Sequence, residues 1–258
     1  MGLGLTPRYI TLAALDALKT SDTVFLETYT VPFSDWGPAR LEELIGKPVT
    51  PLTRRDLEDL GGRALLEELD KGRTVSLAVI GDPFIATTHL SLKLEALKRG
   101  HRVETIYGVS AHCAAVSASG LFPYKFGKSA TIVYPRDGIV SEYPYDVLRE
   151  NKDRGLHTLF YLDVLEDGKG MTVAEAIEIL LGLEERRREG VFTGDTLVVG
   201  VARLGCSDET IVSGRASVVK EWARLPGPPH MLIVPGKLHF MEQEGLRVYS
   251  IDSEERGS

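Results

Sequence analysis

Apolar positions along the chain fall into short runs separated by amphipathic stretches. Residues 23–28 (TVFLET) are rich in β-branched and aromatic side chains and predict a strand. Residues 38–45 predict a helix with Pro38 in its first turn, 49–52 a short strand and 56–69 a second helix. The run 74–80 (TVSLAVI) predicts a strand that ends at Gly81-Asp82-Pro83. Residues 88–99 predict a helix closed by Gly100, 103–106 a strand, and 111–119 a small-residue helix packed closely on a sheet. This β/α alternation predicts an α/β fold with a mainly parallel sheet and helices outside it.

The rhythm changes near residue 120. Residues 121–134 carry Pro123 and Gly127 and a strand at 130–133, and they read as a linker opening a second unit. The expectation is two α/β domains, 1–122 and 123–258. In the second, 144–154 predicts a helix and 158–164 a strand. Thr172 and Glu175 have capping-box spacing and open a long helix to about residue 189. Its tail, EERRRE at 184–189, reads as a solvated face with i,i+4 pairs. Residues 197–203 predict a strand, 211–222 fit helix or strand, 226–229 (PGPP) a rigid turn, and 231–234 a buried strand. Residues 254–258 read as a frayed tail.

Composition narrows the classes. With 258 residues the chain is long enough for a sizeable core, and 43% hydrophobic with 26% charged residues excludes a disordered chain. A net charge of −7 argues against a generic polyanion binder. Cys113 and Cys206 stand alone, which fits a reducing compartment and a cytoplasmic protein. No apolar run reaches membrane-spanning length, and the first residues lack a secretory pattern.

Candidate chemistry gathers on loops. Gly2-Leu3-Gly4-Leu5 is a Gly-x-Gly turn whose backbone can approach a ligand, or else a frayed end. Asp82 follows a strand, where open α/β sheets bind ligands, and serves equally as an Asx-type turn. Ser110 follows the next strand and so belongs to the same sheet edge, with helix capping as its other role. Thr87, Thr88 and His89 read as a cap for the helix after them. Among the six histidines His230 is the most site-like, because it follows a Pro-Pro turn and opens a strand. No metal-ligand spacing, paired carboxylates or activated nucleophile is assembled by the sequence, so the site suits transfer from an already activated donor.

Seven stretches carry a family resemblance: GLGL (2–5), GDPFIATTH (81–89), YKFGKSATIVYP (124–135), RGLHTLFYLD (154–163), MTVAEAIEILL (171–181), GDTLVVGVARLG (194–205) and GPPHMLIVPGKLH (227–239). Together they resemble the archaeal diphthine synthases, within the tetrapyrrole-methylase class of S-adenosylmethionine-dependent methyltransferases. The resemblance implies a homodimer of two α/β domains with S-adenosylmethionine in the cleft between them. It implies donor contacts from Leu5, Asp82, Ile85, Ser110 and Ala111 in the first domain and Leu162, Leu204 and His230 in the second. The roles of Leu162 and Leu204 rest on the resemblance alone.

The implied reaction methylates the α-amino group of a 3-amino-3-carboxypropyl-modified histidine on translation elongation factor 2, giving diphthine. Tyr124, Lys125 and Lys128 either meet the substrate carboxylate or form a surface loop. A corrin or ribosomal-RNA substrate, or a non-catalytic S-adenosylmethionine-binding dimer, are the competing readings. The family carries a short apolar strand before GLGL that this chain lacks. The expectation is a truncated start, a glycine turn with no strand to position it, and weakened donor binding.

Overall fold

A computed structural model describes residues 1–31 and 36–251 and divides into two units, Met1–Cys113 and Ala114–Ser258. The tail expected to fray lies outside the described residues.

In the first unit, β1 (Thr23–Glu27) lies between β2 (Val49–Leu52) and β3 (Val75–Ala78), and both pairings are parallel. Four of its five residues are buried, which is why the sequence reads as a nearly unbroken apolar run. Pro51 is tolerated because β2 is an edge strand. Around this sheet stand α1 (Leu12–Thr20), α2 (Pro38–Ile45), α3 (Arg63–Asp70) and α4 (Leu90–Lys98). Helix α1, which the sequence reading passed over, starts at Thr11, whose hydroxyl accepts the Ala14 N–H at 3.1 Å. The helix expected over 56–69 is split. A π-type turn at Arg55–Asp59 is followed by Gly61 and Gly62 in the left-handed region, which breaks the ladder before α3.

The strand expected at 103–106 does not form a ladder. Its neighbour is the segment Met1–Gly4, and only Gly2 N–H bonds to Ile106 O, at 2.9 Å. The glycine turn, in contrast, is positioned. Leu3 N–H bonds to Val79 O at 2.8 Å, Val79 N–H to Met1 O at 3.0 Å, and Gly81 N–H to Gly4 O at 3.0 Å. Backbone pairing to the continuation of β3 therefore does what a preceding strand was expected to do.

Helix α5 (Ala111–Ala118) runs across the division. The second unit holds a five-stranded sheet in the order β4 (Ala130–Ile132), β5 (Thr158–Leu162), β8 (His230–Val234), β6 (Leu197–Ala202), β7 (Thr210–Arg215). Only β4 and β5 pair in parallel; the other neighbours are antiparallel. Strand β8 is central and buried at all five positions. The core beneath is built from helices α6 (Tyr143–Asp153) and α7 (Val173–Arg187) and includes Tyr145, Phe160, Ile177, Leu180, Phe192 and Leu232. The capping box at Thr172 and Glu175 is formed.

Residues 211–222 turn out to be two abutting elements, β7 and α8 (Ala216–Glu221), with no loop between them, so neither period dominates the window. The 184–189 tail is not simply solvated. Glu184 accepts the N–H groups of Gly190, Val191 and Phe192, and Arg187 pairs with Asp146 on α6 at 2.8 Å. Helix α9 (Phe240–Arg247) has no counterpart in the sequence reading because its pattern is inverted. Phe240 and Met241 face solvent while Glu242 is fully buried. Among the described residues no helix is long and apolar enough to cross a membrane.

Candidate functional site

The first unit gathers its predicted residues at one sheet edge. Leu5 follows Gly4, which pairs with Gly81; Asp82 follows Gly81. Asp82 Oδ1 accepts Phe84 N–H at 2.9 Å, the Asx-type turn expected of it. Its Oδ2 accepts Gly108 N–H at 3.2 Å, which ties this loop to the loop carrying Ser110. Ser110 is buried and its hydroxyl accepts Cys113 N–H at 3.2 Å, capping the start of α5, where Ala111 is the first residue. Ile85 is exposed on the Asp82 loop, as are Tyr107 and Val109 on the next. Apolar side chains thus rim a floor of backbone.

That floor is a junction of three glycines. A methyl group on Gly2 would lie 2.6 Å from Gly108 N and 2.7 Å from its Cα, and one on Gly108 would lie 2.8 Å from Gly2 Cα and overlap the Gly81 carbonyl. Gly81 itself has φ +80. Only glycine permits this approach, and it leaves backbone N–H and C=O groups at the edge unscreened by side chains. Sequence reasoning found Gly2 and Gly81 by their motifs but not Gly108, which stands in no recognisable turn signal.

His89 does not cap α4. Its ring is buried and its Nδ1 lies 3.0 Å from Pro83 O. A carbonyl only accepts, so the proton sits on Nδ1. Burial holds the ring's pKa below the usual histidine range.

The second unit brings its three predicted residues to one end of the five-stranded sheet. Leu162 closes β5, His230 opens β8 between it and β6, and Leu204 lies two residues beyond Ala202, the partner of His230 on β6. Arg203 and Gly205 on either side of Leu204 are both in the left-handed region, so this turn is sharply bent. His230 is engaged at both nitrogens. Nδ1 accepts Val173 N–H at 3.1 Å at the start of α7, and Nε2 donates to Pro226 O at 2.6 Å. Its ring therefore fixes the Pro-rich turn against the helix, and burial lowers its pKa.

The junction residues separate into distinct roles. Lys125 pairs with Glu242 and donates to Lys237 O at 2.5 Å, so it is a structural tether. Lys128 lies 4.9 Å over the Tyr143 ring. Tyr124 is exposed and stacked on Phe122 at 5.3 Å. Behind them lies a buried network missed by the sequence reading. Glu242 accepts Phe122 N–H at 2.8 Å, His239 N–H at 2.7 Å and His157 Nε2–H at 2.9 Å, while His157 Nδ1 accepts Gly236 N–H.

Known proteins agree with this architecture. The family model described as Tetrapyrrole (Corrin/Porphyrin) Methylases matches residues 1–219. A protein named diphthine synthase from Saccharolobus solfataricus is 41% identical over 248 residues, 96% of each chain. One of the same name from Pyrobaculum calidifontis is 45% identical over 95% of this chain and 96% of its own. A crystal structure of diphthine synthase, 36% identical, superposes with a TM-score of 0.86 over 99% of this chain and 97% of that one. The chain belongs to the diphthine synthase family of tetrapyrrole methylases, and it is a methyltransferase.

Proposed function

We propose that the chain transfers methyl groups from S-adenosylmethionine to the α-amino group of a 3-amino-3-carboxypropyl-modified histidine on translation elongation factor 2, forming diphthine. It does so as a homodimer in the cytoplasm, where that factor works. The bound sulfonium supplies an already activated methyl carbon, so the protein's part is alignment and exclusion of water. The observation that carries this reading is the glycine junction beside Asp82. Three backbones meet there with no Cβ between them, and the two loops they lead into are tied together by the Asp82 carboxylate. Such a cradle lets a flat, polar nucleoside lie directly against backbone N–H and C=O groups.

Two sets of residues take part, each on its own sheet edge. Leu5, Asp82, Ile85, Ser110 and Ala111 serve from the first unit, with backbone groups doing most of the binding because the Asp82 and Ser110 side chains are spent on the loops. Leu162, Leu204 and His230 serve from the second, the His230 ring acting by holding its turn rather than by titrating. Lys125 is spoken for by Glu242, which leaves Tyr124 and Lys128 to meet the acceptor.

The test is calorimetry with S-adenosylmethionine followed by mass spectrometry of elongation factor 2 carrying the modified histidine. Asp82→Ala frees both loops, and about ten-fold weaker donor binding with an intact fold is expected, because the donor must then order loops that the carboxylate had held in place. Unchanged affinity would remove Asp82 from the site. Tight donor binding without transfer would favour a binding module.

A further inference from the structure

The parallel sheet of the first unit ends its three strands at one edge: Glu27 of β1 is level with Leu52 of β2, and Leu26 with Ala78 of β3. Open parallel sheets bind ligands beyond such ends. Asp82 and Ile85 stand beyond β3, and a second group of side chains stands beyond β1 and β2. Glu58 is its centre. Its Oε1 accepts the Tyr29 hydroxyl at 3.4 Å and the Thr88 hydroxyl at 3.2 Å. Its Oε2 faces Arg54 Nη1 at 3.7 Å, and the Arg54 guanidinium lies 5.0 Å over the Tyr29 ring. Three segments therefore meet at one carboxylate: the turn after β1, the π-type turn after β2 and the Asp82 loop. That loop is closed on both sides of Thr88, because Pro83 O takes the Thr87 hydroxyl at 2.6 Å and the His89 ring at 3.0 Å.

As a staple this group is poor. Both hydroxyl bonds are long, the ion pair is longer than a hydrogen bond, and its side chains are 48% and 30% exposed. An exposed pair of this kind contributes at most about 1 kcal/mol. As a receptor it is well prepared. Tyr29 packs on the core cluster of Phe25, Leu52, Leu57 and Leu65. The buried Glu27 carboxylate fixes its turn by accepting the N–H groups of Tyr29 and Thr30, each at 2.6 Å. Burial and the Glu27 charge push the Tyr29 phenol up to about 12, so it keeps the proton it gives to Glu58. Among the described residues the Arg54 guanidinium makes no hydrogen bond, so its fork of N–H donors is open to a ligand. A lone anion here would meet Glu58 and Glu27, and a lone cation would meet Arg54. A ligand with both charges on neighbouring atoms fits, its amino group toward Glu58 and its carboxylate in the planar fork of Arg54.

We infer that Arg54 and Glu58 form a clamp for the α-amino-acid end of a ligand at this edge, with Tyr29 and Thr88 orienting the Glu58 carboxylate. The inference rests on the proposed methyl transfer, whose donor and acceptor both carry such an end. Tyr124 and Lys128 are then left to the protein around the modified histidine.

Arg54→Met and Glu58→Met, made in the full chain, each remove one half of the clamp from an exposed position, so the denaturation midpoint should barely move. KM for elongation factor 2 carrying the modified histidine is expected to rise about ten-fold in each, at kcat within about two-fold. Arg54→Lys, which keeps the charge but not the fork, should rescue in part. S-adenosylhomocysteine and 5′-methylthioadenosine report the other source by calorimetry, since only the first has an amino-acid end. An unchanged KM with S-adenosylhomocysteine alone bound about ten-fold more weakly places the donor in the clamp and also supports it. The exchanged pair R54E/E58R rebuilds a surface ion pair but not the oriented clamp, and should stay as weak as the single variants. Recovery to wild type in the exchanged pair, a change in only one of the two Met variants, equal losses for both nucleosides, or no change for any ligand overturns the clamp. If wild type itself transfers no methyl to the modified factor, the reading of the function has failed first and the inference falls with it.

Discussion

The two sheet edges are built on opposite principles. In the first unit the edge is made of backbone: Gly2, Gly81 and Gly108 touch with no room for a side chain, and the Asp82 carboxylate serves the loops. In the second, side chains do the joining. At that edge His230 bridges the Pro-rich turn and α7, and at the opposite end of the same sheet the Glu242 carboxylate gathers two backbone N–H groups, His157 and Lys125 around α9. A backbone junction is sensitive first to added volume, whereas a buried ionic network is sensitive to lost charge and therefore to acid.

The largest effect should come from the network. Glu242→Gln keeps the shape but leaves the Lys125 ammonium without its anion, and the new amide NH2 must face one of the two donor pairs, His239 N–H with Lys125 or Phe122 N–H with His157. Breaking a buried pair in this way costs about 3 kcal/mol, to be read in chemical denaturation. Its pH dependence has a definite sign. Burial alone would raise the Glu242 pKa, but the His239 N–H, Lys125, Phe122 N–H and His157 outweigh it and hold it at about 2. Its contribution is therefore complete above its unfolded pKa of about 4.3 and lost as pH falls toward 2. Glu175 and Glu184 in the same unit are also held at about 2. The wild-type stability slope between pH 5 and 2, both general values of the carboxylate range, should be visibly flatter in E242Q. An unchanged slope would mean that the network does not carry the acid sensitivity.

Gly108→Ala tests the other principle. The added methyl meets backbone on every side, so nothing yields cheaply, and a loss of about 2 kcal/mol is expected with no change in the acid slope. Donor affinity should fall with it, because the Asp82 and Ser110 loops must part. A stable G108A protein with normal donor binding would show that the junction is not the cradle.

How much of this was legible follows from the same contrast. The motif glycines announced the first edge because close backbone approach needs Gly whatever surrounds it. Gly108 escaped because its constraint comes from Gly2 and Gly81, far away in sequence. Strand β8 and the Thr172 capping box were legible as local patterns. Helix α9 was not, since its buried position holds Glu242 and its exposed ones Phe240 and Met241, the reverse of an amphipathic signal. His230 was singled out by its turn, but only the fold shows that its ring is consumed in holding that turn. The strand expected at 103–106 has the right composition and too little to pair with.

The smallest effect separates glycines that are required from one that is not. Gly182 lies inside α7 with nothing within 4 Å of where a Cβ would stand, and it is not in the left-handed region. It therefore carries the entropic cost of glycine in a helix without any compensating approach. Gly182→Ala should stabilise the protein by about 0.5–1 kcal/mol, seen as a raised denaturation midpoint at unchanged denaturant slope. Helix α7 is fixed at its start by Thr172 and by His230, so a stiffer helix leaves those contacts in place and donor binding should not move. If G182A instead destabilises the chain, the space around α7 is taken in solution by something outside this chain, and a second copy is the first occupant to examine by sedimentation.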